Sequence, residues 1–163
     1  LKDFFSEFEL FTYNPAQPAT EEFHRLSRLY GWDREETAEV RERFKNAMVK
    51  VFNDIYGTDE NDINSWYGLC NVLNITPLPE TLNGCRDKVR ETHVNLVDLV
   101  DLPNSNKPIE IFPTELELSE YSKKNHKIFP RENAYAGGLL KFLLRKINNP
   151  PLHTSRGGRR RKR

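Results

Sequence analysis

A chain of 163 residues that is 37% hydrophobic and 30% charged can bury one core beneath a polar surface, which excludes a wholly disordered polymer. No run approaches the roughly 20 apolar residues that span a bilayer, so no membrane is expected as a partner. The formal net charge of +1 hides an asymmetry: residues 156–163 carry six basic side chains and no acid, leaving 19 Lys and Arg against 24 Asp and Glu elsewhere, a formal −5.

Taken in order, Phe4, Phe5, Phe8 and Phe11 recur at helical spacing before Pro15 and Pro18 interrupt, which predicts a short aromatic-faced helix and an extended arm. The Phe face reads as core, with a docking face as the alternative. A chain starting at Leu1 points to a trimmed or processed product, so a missing leader says little. Thr20 is placed to cap a helix with Glu21 and Glu22 in its first turn, Phe23 and Leu26 inward and Gly31 at its end. Asp33 with Glu36 forms a capping-box signature for a longer helix, with Val40, Phe44, Met48, Val51, Phe52 and Ile55 on the buried face. The opposite face holds Arg41, Arg43, Lys45 and Lys50 among acids at helical spacing, the pattern of a solvated face.

Asp62 caps the next expected helix, which Asn74 ends, and Pro77 and Pro79 lead into the segment that organises the rest, Glu80 to Leu102. Leu82, Cys85, Val89, His93, Leu96 and Val100 fall on one face, and Val94, Val97 and Leu99 widen it, so a single buried central helix is expected. Residues 103–108 read as a loop, and Ile109 to Phe112 as one extended segment. Thr114 caps a further helix, and Pro130 opens a last one through Ile147, in which Gly137 and Gly138 suit close packing. From residue 150 the composition predicts a disordered basic tail. The fold class is therefore all-α: one domain over 1–149, about six helices and at most one short extended segment.

The chemistry that can be sought is sparse. The chain lacks a nucleophile elbow, a His-Glu-x-x-His zinc motif, Cys-x-x-Cys, a P-loop and a dinucleotide fingerprint, so no catalytic residue, cofactor or metal is assigned. Cys70 and Cys85 sit on apolar helix faces and read as buried thiols, with a disulfide as the alternative, which suits an intracellular setting. His93 reads as a core or boundary histidine before a base, and the Asp54, Asp59, Glu60, Asp62 patch fails the spacing of a calcium loop because Ile63, Asn64 and Cys70 fall where an oxygen ligand, Gly and Glu are required. The tail residues Arg156, Arg159, Arg160, Arg161, Lys162 and Arg163 match a basic nuclear-import cluster and supply the charge for weak, non-specific contact with nucleic-acid phosphates. A tail that only confers solubility is the plainer reading.

Phe8-x-x-Phe11-x-Tyr13-Asn14-Pro15, Glu22-Phe23-x-Arg25-Leu26, Gly31-Trp32, Phe52-Asn53-x-x-Tyr56-Gly57-Thr58-Asp59, Ser65-Trp66-x-x-Leu69-Cys70 and His93 through Asp101 are motifs with a counterpart. With Phe129-Pro130-x-Glu132-x-Ala134-x-Ala136-Gly137-Gly138, they make residues 4–147 resemble a group of small uncharacterised fungal proteins, especially of mushroom-forming fungi. The resemblance implies a fungal source and one self-contained domain, and it brings no activity, cofactor or site residue. The expected function is a non-enzymatic interaction or regulatory protein, in the nucleus before the cytoplasm, with an unidentified protein partner on its acidic body. The alternatives are a DNA- or RNA-binding module, and an enzyme whose site is assembled around His93 or the Asp59/Asp62 loop.

Overall fold

Side-chain caps set most of the helix starts. In the computed structural model, which describes residues 1–131, 138–145 and 147–151, α1 covers Lys2–Ser6 and α2 Ala19–Tyr30. The helix α3, Arg34–Tyr56, opens on the full Asp33/Glu36 capping box, and α4, Ile63–Val72, on the Asp62 carboxylate. Thr81 caps α5, Leu82–Glu91; Asn95 caps α6, Leu96–Ser105; and Thr114 caps α7, Glu115–Lys124. A short α8, Leu140–Leu143, follows. Each of these caps places a side-chain oxygen on one of the first backbone N–H groups, which have no partner within the helix. Among the described residues no helix is long and apolar enough to cross a membrane.

Among the described residues the fold is all-α apart from two strands of two residues each, β1 at His93–Val94 and β2 at Ile111–Phe112, which pair antiparallel with His93 opposite Phe112. The expected central helix over 80–102 is therefore two helices. Thr92 and Asn95 leave helical geometry, His93 and Val94 pair with β2, and the Asn95 side chain accepts from the Asp98 N–H to start α6 afresh. The extended segment near 111 is present, and its partner comes from the middle of the stretch read as continuous helix. With eight helices and two strands among the described residues, the count also exceeds the expected six and one.

Four smaller differences accompany this one. Thr20 does not cap α2: the helix starts at Ala19, two residues before a Thr20 cap would start it, and the Ala19 N–H donates 3.0 Å to the Asp101 carboxylate of α6. In α3 the buried face includes Val49 and Tyr56, and Ile55 is exposed. Residues 103–105 are helical despite Pro103, whose ring nitrogen has no proton for the Leu99 carbonyl; the Tyr56 hydroxyl donates to that carbonyl instead, at 2.6 Å. Of the expected last helix, residues 132–137 and 146 lie outside the described residues, while 140–143 form one turn and Leu144 is extended. Gly138 does pack closely, though on a loop: its N–H donates 3.2 Å to the Thr58 carbonyl, and a Cβ there would stand 2.4 Å from that oxygen.

Two apolar clusters form the core. The larger joins Phe52, Tyr56, Trp66, Leu69, Cys70, Cys85, Val89 and much of α6 and α8. The smaller joins α1, α2 and the part of α3 up to Met48 through Phe5, Phe23, Leu26, Phe44 and Met48. Both draw on α3 and α6, with Val97 in the smaller cluster and Leu96 and Leu99 in the larger, so the two halves share their scaffold.

Candidate functional site

The residues singled out from the sequence divide by what the fold does with them. Phe4, Phe5 and Phe11 are buried in the smaller cluster, and Phe8 is half-buried against Tyr30 and Trp32. The basic tail, Arg156 to Arg163, lies outside the described residues. Cys70 and Cys85 are both free and buried, and burial pushes the Cys70 thiol up to about 11, far from a reactive thiolate. His93 is half-buried in β1, where burial and then Arg145 lower its pKa. Asp59 accepts from the Asn61 N–H, and Asp62 caps α4 and takes the Ser65 hydroxyl at 2.8 Å, so these two acids organise a turn and a helix start.

On the cationic face of α3, three of the four basic residues have acidic partners. Arg43 pairs with Glu7, Lys45 with Glu42 at 2.7 Å and Lys50 with Asp54 at 2.7 Å. Arg41 instead lies 5.9 Å above the Phe23 ring.

Sequence reasoning missed the best-organised polar cluster. The side chains of Asp98 and Asp101, one turn apart on α6, line a cleft of about 320 Å³ with Tyr121, Lys127 and Ser105. Lys127 donates 2.6 Å to one Asp98 oxygen, the Tyr121 hydroxyl donates 2.8 Å to the other, and Lys127 lies 3.1 Å from the Tyr121 oxygen. Burial opposes the charge on Lys127, but its bonds to Asp98 and Tyr121 prevail and raise its pKa; burial also raises that of Tyr121. The trio therefore rests as an ion pair with a neutral phenol, an anchor between α6 and the segment after α7. Asn95 extends the anchor, donating 2.9 Å to both the Ser122 hydroxyl and the Lys127 carbonyl. The sequence signal was the polarity of Asp98 and Asp101 within the most apolar stretch of the chain; such residues persist there when partners meet them.

A second cavity, of about 460 Å³, opens between α2, α3 and residues 126–131. Its lining joins the stacked Phe23 and Phe44 rings, 4.6 Å apart, to His24, Arg41, Lys45, His126 and Arg131. Burial and the nearby Arg41 lower the pKa of His24, whose ring meets that of His126 edge-on at 6.4 Å. A wider basin beside His93 is lined by Arg90, Arg131, Lys141 and Arg145 with Glu115, and there Arg145 is committed to backbone carbonyls, among them Phe142 and Thr92 at 3.0 Å.

The chain matches no protein-family model, no curated protein and no solved structure.

Proposed function

We propose that this is a non-enzymatic interaction protein of fungal type, working in or entering the nucleus, whose folded body binds a protein partner while its basic segment supplies import or weak phosphate contact. The observation that carries the reading is the separation of charge along the chain, six cations without an acid in residues 156–163 against a formal −5 in the rest. Two features of the body support it. Three of the four cations on that face of α3, Arg43, Lys45 and Lys50, have acidic partners in Glu7, Glu42 and Asp54, and Asp98, Tyr121 and Lys127 are committed to one another. The Cys70 thiol and the Tyr13 phenol, pushed by burial up to about 11 and about 12, are held in their unreactive forms at neutral pH.

Affinity for random-sequence DNA and RNA, measured with the whole chain and with a version ending at Leu152 at two salt concentrations, tests the phosphate contact. Six contacts give a slope of log K against log salt near −5 on duplex DNA, and the shortened version is expected to lose the binding. Sequence preference retained by the shortened version would instead make the body a nucleic-acid reader. Import is tested by the cellular distribution of the two versions; identical distributions would remove that part of the proposal.

A further inference from the structure

The cleft beside α6 holds a buried charge that the fold leaves without a counterion. We propose that it binds a primary ammonium group on a short alkyl chain, with the nitrogen at Asp101 and the hydrocarbon against Pro18, Pro108 and Ile109. The cleft, of about 320 Å³, lies between the arm before α2, the face of α6 and the residues that follow α6, and its size is at the lower end of small-molecule sites. Asp98, Asp101 and Ser105 stand at intervals of three and four residues, so one face of α6 supplies a polar wall.

One oxygen on that wall is free. Asp101 Oδ2 receives the Ala19 N–H at 3.0 Å, whereas Oδ1 has no hydrogen-bond partner among the described residues and is not sealed from solvent, so it opens on the cleft. A buried carboxylate that meets a single neutral donor keeps most of its charge unanswered. Burial accordingly pushes the pKa of Asp101 up to about 6; Asp98 adds to the rise, and the Ala19 bond, Lys127 and the Leu1 amino group offset only part of it. Tyr13, the other titratable neighbour, stays neutral. Elsewhere in the cleft the charges are balanced. Lys127 and the Tyr121 hydroxyl hold the two Asp98 oxygens, and Lys107 and Glu110 oppose each other at the exposed rim.

A second, independent feature favours a cation. The C-terminal end of α6 borders the cleft at Ser105, and no backbone N–H of the described residues caps it, whereas the C-caps of α2 through α5 and of α7 each donate back into their helices. The negative end of this helix dipole is open to a positive ligand. Among the described residues no three His, Cys, Asp or Glu side chains are grouped to hold a metal ion, and Pro18, Pro108 and Ile109 give the cleft an apolar side, so an organic cation fits it better than a bare ion. A primary ammonium brings three donors, for which the lining offers Asp101 Oδ1, the Ser105 hydroxyl and the Gln17 side-chain carbonyl.

The test is titration of the full chain with butylammonium, tetramethylammonium and butanol at constant ionic strength, followed by amide chemical shifts, in which the Ala19 N–H reports on the Asp101 carboxylate. Butylammonium is expected to bind saturably and at least tenfold more tightly than the other two, with shifts centred on residues 16–19, 98–105 and 107–110. The ionised carboxylate is the binding form, so affinity should fall about tenfold from about pH 7.5 to about pH 5 as Asp101 takes up its proton. Asp101→Asn, which keeps an acceptor for the Ala19 N–H and cannot ionise, should weaken butylammonium at least tenfold and remove the pH dependence, with an unchanged circular dichroism spectrum. Nα-acetyl-lysine amide separates the two sources of such a group: tighter binding than butylammonium assigns a lysine side chain of a peptide, and weaker binding a free amine. Equal binding of tetramethylammonium or butanol, shifts centred elsewhere, affinity independent of pH, or Asp101→Asn binding butylammonium like the unmodified chain would overturn the proposal.

Discussion

Asp101 shows how one side chain can serve the fold and still burden it. It is 8% exposed on α6, and its carboxylate receives the Ala19 N–H at the start of α2, where the helix dipole also favours negative charge. Burial nevertheless pushes its pKa from 3.8 up to about 6, against the lowering effect of the Ala19 bond. Between those two values the unfolded chain has released a proton that the folded chain keeps. Stability from this group is therefore fullest below pH 3.8 and is lost as pH rises through about 6. At roughly 1.4 kcal/mol per unit, the loss is about 2–3 kcal/mol by pH 7. Asp101→Asn keeps an acceptor for the Ala19 N–H and cannot ionise. In urea unfolding it should match the unmodified chain near pH 4 and exceed it by about 1–3 kcal/mol at pH 7; parallel profiles would mean that the carboxylate is not strained by burial. Asp98 behaves differently because its charge is answered. Its side chain and that of Lys127 are 19% and 16% exposed, and removing one partner leaves the other with only the neutral Tyr121 hydroxyl to answer its charge. A double-mutant cycle with Asp98→Asn and Lys127→Met should return a coupling of about 1–2 kcal/mol, and a value near zero would show that the pair is no anchor.

At the scale of elements, α6 explains what the sequence made legible and what it did not. Caps were readable because each is local: Asp33 with Glu36, Asp62, Thr114 and the left-handed Gly31 and Asn74 sit where their side chains or backbone freedom predict. The break at residues 92–95 was not, because the apolar period runs straight through it and Asn95 reads equally well as a polar-face residue or as a cap. What decides between them is β2, which lies beyond α6 and offers His93 and Val94 a strand partner. Pro103 misled in the same way: a proline inside a helix frees the carbonyl four residues back, and only the fold reveals that Tyr56, 43 positions earlier, fills the vacancy. Tyr56→Phe should thus cost about 1–3 kcal/mol by orphaning the Leu99 carbonyl. Adding Pro103→Ala restores a backbone donor and should return much of that loss, whereas additive costs would mean the hydroxyl contributes by packing alone. The residues of both cavities were illegible for a related reason. Thr20, Arg41, Lys45 and His126 come from three separate segments, and none belongs to a spacing that chemistry requires.

For the whole molecule, the decisive feature is that two apolar clusters share two helices. Phe44 and Met48 of α3 belong to the smaller cluster and Phe52 and Tyr56 to the larger, and α6 divides likewise at Val97 and Leu99. Neither helix can unfold in one cluster and stay packed in the other without exposing a buried face, so the body should melt as one cooperative unit despite its divided core. The two tryptophans report on the halves separately: Trp66 is fully buried in the larger cluster, and Trp32 packs at the edge of the smaller beside Phe8 and Tyr30. In single-tryptophan variants, Trp32→Phe and Trp66→Phe, the denaturation midpoint seen by fluorescence should coincide with that seen by far-ultraviolet circular dichroism. Leu26→Ala, in the smaller cluster, should lower both midpoints together by removing about 2–5 kcal/mol, although Trp66 lies in the other cluster. A Leu26→Ala variant in which the Trp32 signal is lost at lower denaturant than the Trp66 signal would show instead that α1, α2 and the start of α3 form a separable unit. The cavity bounded by α2 and α3 would then open independently of the larger core.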